Sequence, residues 1–177
     1  TNVSAGFDGI STFTGGAAGT LTGRDTASTW ALDGTPTYND DSKTLGFSGF
    51  ATLQGGTNTD TFNVTSASSF NLNGGAANDT FDISGGGVLT GSIDGEAGTT
   101  NSLTLDDVAN TITVTGADTG NVSMGITGTF SNIDSITGGS NIDQFFFNAG
   151  GSIVDIDGAG GNDSVEVDAD NNTLTHS

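Results

Sequence analysis

The chain repeats its own sequence at two lengths, and this repetition limits the folds that are open to it. The segment LTGRDTASTWALDG from Leu21 aligns without gaps to LTLDDVANTITVTG from Leu103. The segment FSGFATLQGG from Phe47 aligns at nearly the same offset to FSNIDSITGG from Phe130. Similarity at a nearly fixed offset is typical of repeat architectures, in which neighbouring units bury a continuous core.

A shorter period lies inside this larger unit. Asp60 precedes Asp79 by 19 residues, and Asp143 precedes Asp163 by 20. One such period, here called a coil, has room for two or three short strands, and equivalent strands of successive coils would pair in parallel about 4.8 Å apart. The spacing predicts an all-β fold, a right-handed parallel β-helix (β-solenoid) with coils of about 19–22 residues. A β-sandwich is the alternative, although it gives no reason for a coil-length period.

The repeats predict one domain over residues 1–177. Its parts are a shortened copy over 1–20, a full unit over approximately 21–102 and an incomplete unit over 103–177. A single coil buries only about four large side chains, which offset part of the entropy of ordering it. The four expected in one coil are Phe62, Val64, Phe70 and Leu72. Stability must therefore come from stacking, and neighbouring repeats or other copies of the chain are predicted to continue the stack end to end.

Composition excludes several other classes of protein. Hydrophobic residues make up 32% of the chain and 30 residues are Gly, so no segment favours a long helix. The net charge is −19, and a surface of that sign repels nucleic acid and anionic lipid, so neither is expected as a partner. No apolar run is long enough for membrane insertion. Disorder is rejected because apolar residues alternate with polar ones, as at Phe62 and Val64.

Most coils carry a turn of the form apolar-x-GG-x-x-x-D-x-apolar-x-apolar. The copies start at Leu53, Leu72, Ile136 and Ile156, and a looser copy from Ile93 has Asn101 at the Asp position. Calcium needs six to eight oxygen ligands at about 2.4 Å, which two stacked turns can supply together. The predicted clamps are Asp60 with Asp79 and Asp143 with Asp163. The full candidate metal set is Asp60, Asp79, Asp143, Asp163, Asn101, Asp94 and Asp157. Alternatively, each turn is a tight corner whose Asp caps backbone N–H groups without an ion.

These turns resemble the RTX (repeats-in-toxin) nonapeptide GGxGxDxUx of secreted bacterial calcium-binding solenoids. The sequence departs from the family at the fourth motif position, where the Gly is retained only at Gly161 and is replaced by Asn58, Ala77 and Asn141. The larger unit, through NTITVTGADTGNV from Asn110 and FSNIDSITGG from Phe130, resembles repeats of very large exported bacterial surface proteins, the filamentous-haemagglutinin-like and calcium-dependent adhesins. The resemblance implies export, a secreted or cell-surface location, a scaffold role and calcium as a cofactor.

The function expected from these observations is a structural repeat module of an extracellular filament, stalk, surface layer or biofilm matrix, assembling with itself. The alternative is an adhesin module that binds a host, cell-surface or matrix ligand. The best candidate for a ligand-binding loop is TPTYNDDSKTLG from Thr35.

Enzymatic activity is not expected. A polysaccharide lyase needs a basic residue beside a cation site, and Arg24, Lys43 and His176 are scattered along the sequence. A hydrolase needs two converging carboxylates, for which Asp106 with Asp107 and Asp155 with Asp157 are nominal candidates. Such Asp residues occur in every coil and are typical of turns. An ice-binding face would need stacked Thr ranks, and the ranks at Thr111, Thr113 and Thr115 and at Thr57 and Thr59 do not stack.

Overall fold

The computed structural model describes residues 10–168 of the chain, and within that range every regular element is a β-strand. The prediction of an all-β fold is confirmed. The strands are β1 (Thr12–Thr22), β2 (Ser28–Leu32), β3 (Thr37–Asn39), β4 (Thr44–Gln54), β5 (Asp60–Val64), β6 (Ala67–Ser68), β7 (Asn71–Asn73), β8 (Thr80–Ile83), β9 (Val88–Leu89), β10 (Ile93–Asp94), β11 (Ser102–Thr104), β12 (Thr111–Gly116), β13 (Thr119–Val122), β14 (Thr129–Ser131), β15 (Ser135–Thr137), β16 (Gln144–Phe147), β17 (Asp155–Asp157) and β18 (Ser164–Val167).

Sixteen of these strands belong to one mostly parallel sheet. Its parallel parts form three stacks, each made of strands that are far apart in sequence. Stack 1 is β2, β5, β8, β11, β15 and β17; stack 2 is β1, β4, β7, β10 and β14; stack 3 is β12, β16 and β18. The remaining strands, β6 and β9, pair in parallel in a small separate sheet.

The coil-length period appears as the spacing between paired residues. In stack 2, Leu53 pairs with Leu72 and Leu72 pairs with Ile93, so each step along the chain is close to one coil. In stack 1, however, Leu103 pairs with Ile136, which is a distinctly longer step. The longer interval accommodates β12 and β13, which lie between β11 and β14 in the chain.

Two antiparallel meanders connect the parallel stacks, and the sequence analysis did not anticipate them. Strand β3 pairs antiparallel with both β2 and β4, and β13 does so with both β12 and β14. The segment from Thr35 is therefore not a long loop, because it contains β3 and a tight turn into β4. That turn is closed by Asp40, whose Oδ1 accepts hydrogen bonds from the backbone N–H groups of Ser42 and Lys43 at 3.1 and 3.0 Å.

The core consists of apolar side chains that stack on one another from strand to strand. Trp30 and Phe62 are parallel at a centroid distance of 5.5 Å, and Phe62 and Phe81 at 5.1 Å. All three are fully buried. Val64, Phe70 and Leu72, which the sequence analysis placed in the core with Phe62, are buried as well.

Some residues named in the sequence analysis lie outside the described range. They are residues 1–9 of the shortened copy over 1–20, and residues 169–177, which include His176. Residues 10–168 contain no helix that could cross a lipid bilayer.

Candidate functional site

Buried polar residues form a ladder along the N-terminal ends of the stack 1 strands. Asp60, Asp79 and Asn101 occupy successive rungs and are almost fully buried. The backbone N–H of Asp60 donates to Oδ1 of Asp79 at 2.7 Å, and that of Asp79 donates to Oδ1 of Asn101 at 2.9 Å. The N–H of Asn101 donates in turn to Oδ2 of Asp134 at 2.8 Å. This Asp60 ladder thus connects four neighbouring strands through side chain to backbone bonds.

The first carboxylate of the Asp60 ladder accepts hydrogen bonds on both oxygens. The Ser28 hydroxyl donates to Oδ1 of Asp60, and the backbone N–H of Gly56 donates to Oδ2 at 2.7 Å. The second of these bonds closes the turn that precedes β5. Asp60 therefore caps its own turn and links it to the neighbouring strand, because Ser28 begins β2.

A second ladder runs along the N-terminal ends of the stack 3 strands and contains Asn110, Asp143 and Asp163. Asn110 donates to Oδ1 of Asp143 from its backbone N–H at 2.8 Å and from Nδ2 at 2.9 Å. The N–H of Gly139 donates to Oδ2 of Asp143 at 2.9 Å, and the N–H of Asp143 donates to Oδ1 of Asp163 at 2.9 Å. This Asp143 ladder repeats the bonding pattern of the Asp60 ladder at a different corner of the fold.

The structure brings Asp60 next to Asp79 and Asp143 next to Asp163 through hydrogen bonds, and it shows three further rungs that sequence reasoning missed. The missed rungs are Ser28, Asn110 and Asp134. A signal for two of them was present, because Ser28 and Asn110 occupy the same position in the repeated segments that begin at Leu21 and Leu103. A search for Asp alone does not find Ser28 or Asn110.

The glycine pair of the motif is explained by close stacking of neighbouring turns. A Cβ added to Gly55 would overlap the carbonyl oxygen of Gly74 in the next turn and would lie 2.6 Å from Oδ2 of Asp60. A Cβ on Gly74 would meet Gly95 at 2.8 Å in the same way. Among these three glycines and Gly56, none has a positive φ. The first glycine is therefore required by the space beneath the carboxylate and not by a left-handed backbone.

A left-handed backbone occurs at the second motif position, where Gly75 has φ 105° and Ala159 has φ 60°, and again at the fourth motif position of the same two turns. Ala77 has φ 72° and Gly161 has φ 130°. This is the position at which the RTX repeat has glycine. A non-glycine residue with such a φ is strained, so Ala77 shows that one turn keeps the conformation without the residue best suited to it.

Asp79 is the most electrostatically perturbed residue of the Asp60 ladder. Its burial raises the pKa of the carboxyl from 3.8 to about 7; the hydrogen bond from the Asp60 N–H opposes this shift, and the charges of Asp60 and Glu96 add to it. Its Oδ2 is buried and, among the described residues, has no hydrogen-bond partner. Burial also raises the pKa of Asp60. The ladder therefore contains a carboxyl that holds a proton close to neutral pH.

Asp94 is partly buried and Asp157 is exposed, and they belong to different stacks. Oδ1 of Asp94 accepts from the N–H of Glu96 at 2.9 Å and from Nδ2 of Asn132 at 2.7 Å. Oδ1 of Asp157 accepts from the N–H of Ala159 at 2.8 Å. Each carboxylate thus caps a turn two residues ahead, and the structure does not bring the two together.

The nominal hydrolase residues also bond to turns. Oδ2 of Asp106 accepts from the N–H of Gly86 at 2.8 Å, and Oδ1 of Asp107 accepts from the N–H of Ser140 at the same distance. Arg24 donates to Oδ2 of Asp40 at 2.8 Å. Each of these side chains fastens one segment of backbone or one turn to another.

At Asp60 and Asp143 the donor set does not fit a calcium ion. Asp60 and Asp143 direct both carboxylate oxygens at N–H or O–H donors, whose positive ends would repel a cation. Within residues 10–168 no three His, Cys, Asp or Glu side chains are grouped so that they could hold a metal. The geometry favours the capping interpretation of the turns over calcium binding by the seven candidate residues, and the two interpretations predict different responses to calcium.

Comparison with known proteins adds no further constraint. Protein-family models, curated proteins and solved structures gave no match.

Replacement of Gly55 by Ala should destabilise the protein by about 1–3 kcal/mol, because the added Cβ must displace the next turn. Urea unfolding followed by circular dichroism measures the change. Gly116→Ala is the matched control, since its Cβ would meet nothing within 4 Å and its φ is not positive. Equal losses in the two variants would contradict the stacking explanation.

Asp79→Asn should make the thermal midpoint less dependent on pH. A carboxyl whose pKa is raised by folding stays protonated while the unfolded chain loses its proton, so its contribution is full below about pH 4 and is lost as pH rises to about 7. The amide stays neutral, as at Asn101, so the variant should melt at a higher temperature than the parent at pH 8. Melting curves from pH 4 to 8 test this.

Asp33→Asn is the control for that experiment. The Asp33 carboxyl is exposed, and hydrogen bonds from Thr35 lower its pKa, so its stabilising effect is lost only as pH falls below about 4. The parent slope between pH 4 and 8 should persist in this variant. A parent slope that also persists in Asp79→Asn would assign the effect to other groups.

Thermal midpoints in excess calcium and in chelator should be equal, because Asp60 and Asp143 already accept hydrogen bonds on both oxygens. Isothermal titration calorimetry on the same samples measures binding directly. Stoichiometric calcium binding with a raised midpoint would contradict this expectation and support the calcium role that the RTX resemblance implies.

Proposed function

We propose that the chain is a right-handed parallel β-helix that serves as a structural repeat module of an extracellular filament, stalk or matrix. Three properties support a helical stack: parallel pairing, a coil-length separation between many paired positions, and apolar rows that continue through successive strands. The right-handed sense is that of nearly all parallel crossover connections. Filaments and stalks are built from such units because each one presents the surface that the next one needs.

One observation carries the structural role, namely that within residues 10–168 stack 3 ends in an edge strand with exposed core positions. Val165 of β18 continues the inward row of Phe145, yet Val165 is 42% exposed whereas Phe145 is 2% exposed. Val167 of the same strand is 44% exposed. An edge strand with apolar residues at core positions is a template for another strand. The module is therefore suited to assembly along its strand-stacking direction.

The charge of the chain repels nucleic acid and also repels other copies of the chain, so association between copies depends on the apolar and backbone groups of the edge strands. A net charge of −19 keeps the surface soluble and does not favour nucleic acid. The secreted or cell-surface location itself derives from the resemblance to exported repeat proteins. The ladder and turn residues described above all bond to protein groups, so the proposal assigns no catalytic role to them.

The alternative function, adhesion to a cell-surface or matrix ligand, is favoured by one feature of stack 2. Its outer face holds a shallow groove of about 380 Å³. The polar residues that line it are Thr52, Asn71, Asn73, Ser92, Asp94 and Ser131. Hydroxyl, amide and carboxylate groups in a groove of this kind suit a polar ligand such as a glycan. Binding of the folded protein to a glycan array would support this alternative over the purely structural role.

Val165→Lys should block end-to-end association, because a buried unpaired ammonium costs several kcal/mol and hence more than tenfold in affinity. Sedimentation velocity over a range of concentrations should show oligomers of the parent and monomers of the variant, with the same circular dichroism. Ile142→Lys is the control, since Ile142 is also exposed (55%) but lies in a turn. A parent that stays monomeric at high concentration would overturn the proposal.

A further inference from the structure

The two sequence units repeat each other in strand pairing as well as in sequence. Each of four residue pairs in the first unit has a partner pair at the equivalent position of the second. The matched pairs are Leu21–Leu53 with Leu103–Ile136, Trp30–Phe62 with Ile112–Phe145, Leu53–Leu72 with Ile136–Ile156, and Phe62–Phe81 with Phe145–Val165. The same agreement holds for the two antiparallel meanders. The units are therefore equivalent parts of one repeating structure.

Backbone conformation supports this equivalence at a position that sequence identity does not reveal. Gly49 has φ 74°, and Asn132, its equivalent in the second unit, has φ 53°. Gly49 lies where β4 changes its register against β1, and Asn132 lies between β14 and β15. A left-handed residue thus marks the same bend in both units.

By strand pairing the two units begin earlier than by sequence, at Phe13 and at Ile93, because Phe13 pairs with Phe47 as Ile93 pairs with Phe130. With these bounds, two strand pairs join the first unit to the second. Leu72 of β7 pairs with Ile93 of β10, and Phe81 of β8 pairs with Leu103 of β11. All four residues are buried at this internal junction, none more than 1% exposed. The junction therefore shows, inside one chain, how one unit stacks on the next.

The C-terminal strands are the equivalents of β7 and β8. Ile156 of β17 pairs with Ile136 as Leu72 pairs with Leu53. Val165 of β18 occupies the place of Phe81 in its own stack. Among the described residues, β17 pairs only with β15 and β18 only with β16. The opposite edges of β17 and β18 correspond to the edges through which β7 and β8 pair at the internal junction.

Strand β1 is the equivalent of β10 and β11 together. Phe13 of β1 pairs with Phe47 as Ile93 pairs with Phe130, and Leu21 of β1 occupies the place of Leu103. Within the described residues β1 pairs only with β4. Phe13 and Leu21 are partly exposed, whereas Ile93 and Leu103 are buried. The edge of β1 that faces away from β4 thus corresponds to the edge through which β10 and β11 pair with the preceding unit.

We propose that β1 of a second copy of this chain pairs in parallel with β17 and β18, with Ile156 opposite Phe13 and Val165 opposite Leu21. The inference rests on the proposed filament function and adds to it the register of the contact. The same operation that stacks the second unit on the first stacks the next copy on the second unit. Because the two surfaces differ, the contact is heterologous and extends into an open chain of molecules.

Charge at the contact agrees with this register. The side chains that flank Ile156 and Val165 on the outer face include three carboxylates, and all three would lie opposite threonine hydroxyls. The opposed pairs are Asp155 with Thr12, Asp157 with Thr14 and Glu166 with Thr22. The internal junction already contains such a pair, because Asp82 lies opposite Thr104. Like charges, which destabilise a sheet when directly opposed, are therefore avoided.

Engineered cysteines test the register directly, because the chain has no cysteine of its own. The variant Thr22→Cys/Glu166→Cys should form disulfides between copies, since directly opposed residues of parallel strands have Cα atoms about 4.8 Å apart, within reach of a disulfide. The expected result on a non-reducing gel after oxidation is a ladder of dimers and larger multimers. Strands β1 and β18 share no pairing within one copy, so the products should not be internally closed monomers.

The matched control is Thr20→Cys/Glu166→Cys, which shifts one cysteine by two residues and separates the Cα atoms by about 8 Å, too far for a disulfide. A ladder in the first variant and its absence in the control would support the register. Equal ladders in both would overturn the register. Oligomers in sedimentation without any ladder would overturn the register and leave the filament function standing. A monomer without a ladder, at high concentration and with unchanged circular dichroism, would overturn both.

Discussion

The hydrogen bonds that tie each strand entry to a side chain of the next strand are the interaction on which the rest of the fold depends. A strand that begins at a tight corner has a backbone N–H that the corner itself leaves unpaired, and an unpaired buried donor is costly. In both ladders an Asp or Asn oxygen from the neighbouring strand accepts it. The glycines beneath the carboxylates then let neighbouring corners approach closely enough for these bonds.

The same turn motif is used at two different corners. The turn after Leu53 leads from stack 2 to stack 1, whereas its counterpart after Ile136 leads from stack 1 to stack 3. The motif therefore specifies a corner together with a buried rung residue, and it is not restricted to one particular stack. Consequently the second unit is not a simple translation of the first, because most equivalent strands of the two units belong to different stacks.

Sequence periodicity predicted those parts of the fold that depend on side-chain pattern. Alternation identified inward residues such as Phe62 and Val64, and the repeat distance identified Asp60 and Asp79 as neighbours. The antiparallel meanders were missed because TPTYNDDSKTLG has the composition of a loop, although Tyr38 within it packs against Trp30 at 4.5 Å. The direction of the Asp79 pKa shift was not predictable either, because it depends on burial, which the sequence does not state.

The ladders have a direction, and this direction determines where the effect of a substitution is felt. The amide of Asp60 is held by the side chain at position 79, and the amide of Asp79 by the side chain at position 101. Hydrogen exchange at one strand entry therefore reports on a residue further along the chain, about one coil away for Asp60 and Asp79 and 33 residues away for Asn101 and Asn110. Local opening at any rung releases the backbone N–H of the preceding rung. Loss of protection from hydrogen exchange should therefore extend towards the N-terminus.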